Sequence, residues 1–195
     1  MIVLGISGKK GSGKTTIAEY LRDELTEFHT NGTQVETLGF SHIIKSEYIK
    51  LFNESLPIDL DSQAEKNKIG IHGKTHRQAI QEFGVAMRAI DPNIWIRLWR
   101  DFIDDFLYSY DILIVPDVRF PNEVKAIHDM GGKVIRLTRC PHPEDTHESE
   151  TALDYMLMPM SMRLSSESFD IVIDNAHCGL NEQNKIALDY VRGLL

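Results

Sequence analysis

Apolar positions along the chain switch repeatedly between two spacings. Residues 2–7 are a short β-rich run broken by Gly8, and from Lys14 onward Ile17, Tyr20, Leu21, Leu25 and Phe28 recur at helical intervals. This reads as strand, glycine-rich loop, helix. After the turn residues Asn31 and Gly32, residues 34–40 alternate like a strand, and Ser41 is placed to cap a helix carrying Ile43, Ile44, Tyr48 and Leu51. Periodicity is lost over 53–73, where Pro57, several acids and Ile69-Gly-Ile-His-Gly73 point to an insert. Two helices follow. The second has Asp91 as candidate N-cap, Pro92 at its first position and a stripe of Ile94, Trp95, Leu98, Trp99, Phe102, Ile103 and Phe106.

Residues 112–115 are a continuous apolar run, the signature of a strand buried on both faces, and 133–137 and 169–173 read the same way. Strands alternating with helices predict an α/β fold: a parallel sheet with helices on both faces, whose ligands bind at the carboxyl ends of the strands. With no internal repeat, low-complexity tract or interdomain linker, the expectation is a single domain over 1–195.

Composition narrows the function classes. At 195 residues, 42% hydrophobic and 26% charged, the chain can bury a real core, which excludes disordered and fibrous classes. No stretch approaches the roughly 18 apolar residues of a membrane span, so a cytoplasmic protein, neither exported nor anchored, is expected. Cys140 and Cys178 are expected to be free thiols. A formal charge of -8 disfavours a nucleic-acid polymer as partner, whereas a small phosphorylated ligand needs only a few well-placed cations.

Those cations come with a motif. Residues 8–15, Gly-Lys-Lys-Gly-Ser-Gly-Lys-Thr, satisfy G-x-x-x-x-G-K-[ST] between a predicted strand and a predicted helix. Glycines let the backbone N–H groups wrap around phosphate oxygens, the helix N-terminus adds its positive dipole end, Lys14 bridges phosphates, and the Thr15 hydroxyl can ligate Mg²⁺. It is no dinucleotide fingerprint, because Thr16 stands where a third glycine is needed.

A second constellation closes the run 112–115. There a buried strand leads into Asp117 and Arg119, a carboxylate able to hold Mg²⁺ and a guanidinium able to grip a phosphate with two donors. Arg77, Gln81, Gly84 and Arg88 share one predicted helix face that could line an anionic cleft. The polar segment from Arg139 to Glu150 includes Cys140, His142 and His147, but its spacing matches no paired zinc pattern and two prolines stiffen it. A mobile lid over about 139–165, between Arg139 and Arg163, is the preferred reading.

With the glycine loop, the 77–95 segment, the Val-Pro-Asp117-Val-Arg119-Phe-Pro-Asn-Glu123 string and Thr146-His147-Glu-Ser-Glu150 in hand, the chain resembles the bacteriophage deoxynucleoside monophosphate kinase family. The resemblance implies the P-loop nucleoside monophosphate kinase fold, with an acceptor-binding insert over about 41–108. It implies γ-phosphoryl transfer from ATP, with Mg²⁺, to a deoxynucleoside 5′-monophosphate, and in a viral setting the host cytoplasm. By it Gly11, Ser12, Gly13, Lys14, Thr15 and Thr16 bind ATP, and Lys45, Arg77, Gly84, Trp95, Asp117, Arg119 and Glu123 face the acceptor. Lys14, Asp117 and Arg119 are then the catalytic set, Thr15 and Asp117 the metal ligands, and Arg139, His147 and Glu150 lid residues.

Val85 stands where the family has a threonine, which removes a hydroxyl from the acceptor side. A Glu-Ser-Glu before a small residue and leucine also resembles the animal-type phosphomevalonate kinases, a same-class alternative. A P-loop regulatory switch is the alternative of another class, and a nucleic-acid end-processing kinase a third that the charge disfavours. Partners are small-molecule nucleotides, with no membrane, and a homodimer is compatible with the sequence.

Overall fold

The computed structural model describes residues 1–28, 33–52, 62–70, 73–106, 109–157 and 168–195. The turn at Asn31 and Gly32, the whole 53–61 stretch with Pro57, Ile71 and His72, and Arg163 with the rest of 158–167 lie outside them. Two compact units are resolved, one from Met1–Gly39 with Ile103–Leu195 and one from Phe40–Phe102. Among the described residues no helix is long and apolar enough to cross a membrane.

The first unit is built on five parallel strands, β1 (Ile2–Ser7), β2 (Val35–Thr37), β3 (Ile112–Val118), β4 (Lys133–Leu137) and β5 (Ile171–Ile173), in the order β2-β3-β1-β4-β5. Alternation along β1 divides its side chains between two layers. Leu4 and Ile6 face Ile17, Leu21 and Leu25 of α1 (Lys14–Phe28) and Ala187, Leu188 and Val191 of α8 (Leu180–Arg192). The other face meets α6 (Pro121–Asp129), which approaches so closely that a Cβ on Gly5 would lie 2.7 Å from the Ile127 side chain. The sheet is therefore covered on both sides, and β1 delivers the glycine loop at its centre.

Strand β3 runs to Val118, past the end of the apolar run at Val115. Its pairing with β1 shifts between Gly5 and Ser7, so that β3 carries one extra residue around Pro116 and Asp117. Proline has no N–H for the ladder, and the bulge absorbs that loss while re-aiming Asp117. Strand β2 is shorter than the 34–40 run, because the helix begins at Phe40 rather than after a Ser41 cap, and β5 starts at Ile171 rather than at Phe169.

The second unit holds α2 (Phe40–Phe52), α3 (Gln63–Asn67), α4 (His76–Ile90) and the start of α5 (Ile94–Phe106). Its core gathers Phe40, Ile43, Ile44, Tyr48, Trp95 and Trp99, with Phe40 and Trp99 rings 4.7 Å apart. Leu51, expected on the buried stripe of α2, is exposed. Asp91 does not cap α5 directly. It ends α4, and its carboxylate takes the Asn93 N–H at 2.9 Å in a turn that delays α5 to Ile94.

Candidate active site

Residues 8–13 bridge β1 and α1 by adopting backbone that only glycine accepts cheaply: Gly11 has φ 73° and Gly13 φ 99°. A Cβ on Gly8 would lie 2.5 Å from the Ser12 hydroxyl oxygen, so the loop curls tightly on itself. The 15-residue helix α1 starts at Lys14, and the Ile17 N–H to Gly13 carbonyl bond, 3.0 Å, belongs to its first turn. The N–H groups ahead of Ile17 have no carbonyl one turn earlier in the helix and are suited to an anion.

Lys14 is 8% exposed and folds back over the loop, donating to the Gly8 carbonyl at 2.9 Å and to the Lys9 carbonyl at 2.8 Å. Burial pushes its pKa down from 10.5 to about 8; Arg119 and Arg136 push the same way, while Glu150 and Asp117 oppose them. Lys14, Asp117, Arg119, Arg136 and Glu150 therefore act on one electrostatic centre. Asp117 sits beside Gly39, where an added Cβ would collide with its carboxylate.

Arg119 pairs with Glu150 and donates to the Ser149 carbonyl at 3.2 Å. Glu150 is on α7 (Glu148–Thr151), and its other carboxylate oxygen accepts the Lys10 N–H at 2.7 Å. The preceding residue, Lys9, donates to the Glu150 carbonyl and pairs with Asp154 at 2.6 Å. Thus segment 148–154 is fastened to the phosphate loop from above. Pro141 and His142 lie over the loop crest, 3.3 and 3.7 Å from the position of a Gly11 Cβ.

Several expected residues are used differently. Glu123 is 2% exposed, and its Oε2 accepts the N–H groups of Arg119 at 2.7 Å and Phe120 at 3.1 Å. Through that oxygen it shapes the turn that presents Arg119 and closes the start of α6. Trp95 is 2% exposed, donates from its ring N–H to the Gly84 carbonyl at 3.1 Å and packs edge-on to Phe83. Its ring is core and unavailable for stacking on a base. Arg139 is exposed, and His147 bonds to Ser149 on its own helix. Lys45 on α2 and Arg77 and Gly84 on α4 belong to the second unit.

Two residues that sequence reasoning missed stand out. Arg136, inside the apolar run of β4, is 4% exposed; it donates to the Ser7 hydroxyl at 2.9 Å and faces Asp154 at 3.4 Å. Asn175, just after β5, donates to the Ser12 carbonyl at 2.8 Å and to Gln183 at 2.6 Å, and accepts the Arg139 N–H at 2.8 Å. An arginine within a strand buried on both faces, and a polar residue just past a strand end, were the available signals.

The loop fits a phosphate chain. The Ser12 hydroxyl is buried and has no partner among the described residues, an unmet donor inside the curl. Thr15 is exposed on the first turn of α1, and with Asp117 it offers the hard oxygen donors that Mg²⁺ takes.

A parallel sheet whose central strand feeds a glycine cradle, with a desolvated lysine and two arginines around it, defines a P-loop kinase. The chain belongs to the phosphomevalonate kinase family, whose model matches residues 6–133. It is 29% identical over 189 residues to a putative deoxynucleotide monophosphate kinase of Acanthamoeba polyphaga mimivirus, covering 90% of this chain and 89% of that one. It is also 35% identical over 81 residues to the deoxynucleotide monophosphate kinase of Enterobacteria phage T4, spanning 40% of this chain and 34% of the phage protein. Among solved structures, the APS kinase of Mycobacterium tuberculosis superposes with a TM-score of 0.44 at 12% identity, covering 98% of this chain and 96% of that one.

Proposed function

We propose that the protein transfers the γ-phosphoryl group of ATP to a deoxynucleoside 5′-monophosphate, giving the diphosphate and ADP. The observation that carries this reading is the Arg119 guanidinium set beside the phosphate loop: Lys14 and Arg119 share one electrostatic centre, as a reaction between two phosphate groups requires. The similarity to the mimiviral protein over 90% of the chain supports the nucleotide as acceptor.

A phosphate monoester has its second pKa near 6, so the attacking oxygen is already unprotonated at pH 7 and needs no strong base. The protein's task is positioning and charge neutralisation. The loop N–H groups and Lys14 hold the donor phosphates, Arg119 grips the acceptor phosphate with its fork of donors, and Arg136 adds a fixed positive charge beneath them. Mg²⁺, held by Thr15 and Asp117, would neutralise charge on the donor phosphates. Segment 139–157 keeps water from the transferring group. Lys45, Arg77 and Gly84 are assigned to the acceptor through the family resemblance, and the nucleotides are small-molecule partners.

The family match favours a second reading, in which the acceptor is phosphomevalonate, also a phosphate monoester. A coupled ADP-release screen with ATP and Mg²⁺ separates the two. Deoxynucleoside monophosphates should stimulate ADP release far above ribonucleotides and phosphomevalonate; stimulation by phosphomevalonate alone would replace the proposal with the second reading.

A further inference from the structure

Glu150 is a carboxylate buried in an unusual place. It is 8% exposed, and its two oxygens are divided between the backbone N–H of Lys10 in the phosphate loop and the guanidinium of Arg119 beyond β3. Its own carbonyl is held by Lys9, which also pairs with Asp154. The carboxylate thus bridges a donor on the ATP side of the reaction and a cation on the acceptor side.

A carboxylate and a phosphoryl group make the same demand on such donors, since both offer several anionic oxygens to N–H groups and guanidinium. The group that must face both halves of the site during the reaction is the one being transferred. We propose that Glu150 is a specificity-determining residue whose carboxylate takes the place of the transferring phosphoryl group in the nucleotide-free protein. A triphosphate then has to displace it, and a diphosphate does not.

Two physical points support the exchange. Without Glu150 and Asp154, Asp117 would be the remaining carboxylate acting on Lys14 against Arg119 and Arg136 in a poorly solvated place, and an internal counter-anion relieves that excess of positive charge. Once a γ-phosphoryl group arrives, it repels the carboxylate and supplies the missing negative charge itself. Because Glu150 sits on the short helix α7, its displacement removes two of that segment's ties, to Lys10 and to Arg119, while Lys9 still holds the Glu150 carbonyl and Asp154. The carboxylate therefore leaves its two partners when ATP binds and keeps them with ADP, with the segment still held through Lys9.

This inference rests on the kinase reading, and the test separates the two. Binding of ATP and of ADP, each with Mg²⁺ and without acceptor, is measured by titration calorimetry for the wild-type protein, Glu150→Gln, Glu150→Ala and the exposed control Glu148→Gln. Both Glu150 variants should bind ATP about fivefold or more tightly than wild type and change ADP by less than about twofold, while the control changes neither. Equal shifts for ATP and ADP, or weaker ATP binding in Glu150→Gln, would make Glu150 a permanent brace for Arg119 and overturn the proposal alone. A wild-type protein that binds neither nucleotide would overturn the kinase reading together with it.

Discussion

The Asp117 carboxylate fills the space that a side chain on Gly39 would need: an added Cβ there would lie 2.5 Å from Oδ1 and 2.6 Å from Oδ2. The glycine after β2 is therefore part of how the carboxylate is aimed. Gly39→Ala must push Asp117 aside, and a misplacement near 1 Å in a phosphoryl-transfer site costs on the order of tenfold to a hundredfold in turnover. We expect kcat to fall by about tenfold or more in a protein that melts normally. Unchanged kcat would remove Asp117 from the site.

The displaced pKa of Lys14 predicts two pH dependences. An unfolded lysine keeps its proton up to about 10.5, whereas folded Lys14 releases it near 8, so between these values the unfolded chain binds more protons. Lys14's contribution to stability therefore rises with pH across that window, and below pH 8 its burial penalty is complete, on the order of 3 kcal/mol. ATP affinity runs the other way. Loss of the ammonium charge should weaken ATP binding as pH rises past about 8 in wild type and leave a flat profile in Lys14→Met. A wild-type profile flat to pH 9.5 or so would contradict the buried, electrostatically coupled lysine.

Asn175 ties three segments together through Ser12, Gln183 and the Arg139 N–H. Asn175→Ala leaves buried partners without hydrogen bonds and should cost about 2 kcal/mol or more of stability, read as a lower denaturation midpoint. ATP binding should weaken as well, because the Ser12 carbonyl loses its anchor. A destabilised variant with unaltered ATP affinity would make Asn175 purely structural.

Gly84 is mid-helix in α4, and a Cβ there would find its nearest atoms, Arg88 Nη1 and Ile44 Cγ2, at an ordinary 3.7 Å. Space does not demand glycine at this position. Gly84→Ala should therefore stabilise the protein by up to about 1 kcal/mol through helix propensity. If an acceptor nucleotide approaches this backbone, the same change raises acceptor KM; a more stable enzyme with unaltered KM would place the acceptor elsewhere.

How much of this was legible in the sequence depends on how local the cause is. The strand, loop and helix around Gly8–Thr15 are specified by adjacent residues, because the positive-φ positions need glycine and the helix period starts at Lys14. Strand β4 has the ends of the 133–137 run, with Gly131 and Gly132 before it and a polar segment after it. The end of β3 is not legible in the chain, because Pro116 ordinarily breaks pairing and only the neighbouring strand reveals a bulge that tolerates it. Trp95 and Glu123 carry residue types suited to a ligand, yet their partners, Gly84 and the N–H groups at 119 and 120, absorb them. The bond from the Lys10 N–H to Glu150 joins residues 140 positions apart, a contact no local pattern encodes. Arg136 looked like one polar position in a strand, and only burial marks it as part of the charged centre.

The most direct test of the account follows the transferred group itself. ATP labelled in its γ-phosphate is incubated with Mg²⁺, each deoxynucleoside monophosphate in turn, and either wild-type protein or Lys14→Ala. Label should appear in the deoxynucleoside diphosphate with wild type, and at least about 100-fold more slowly with a folded Lys14→Ala, a barrier difference on the order of 3 kcal/mol. Label released only as inorganic phosphate with every acceptor, or equal transfer by the Lys14→Ala protein, would contradict it.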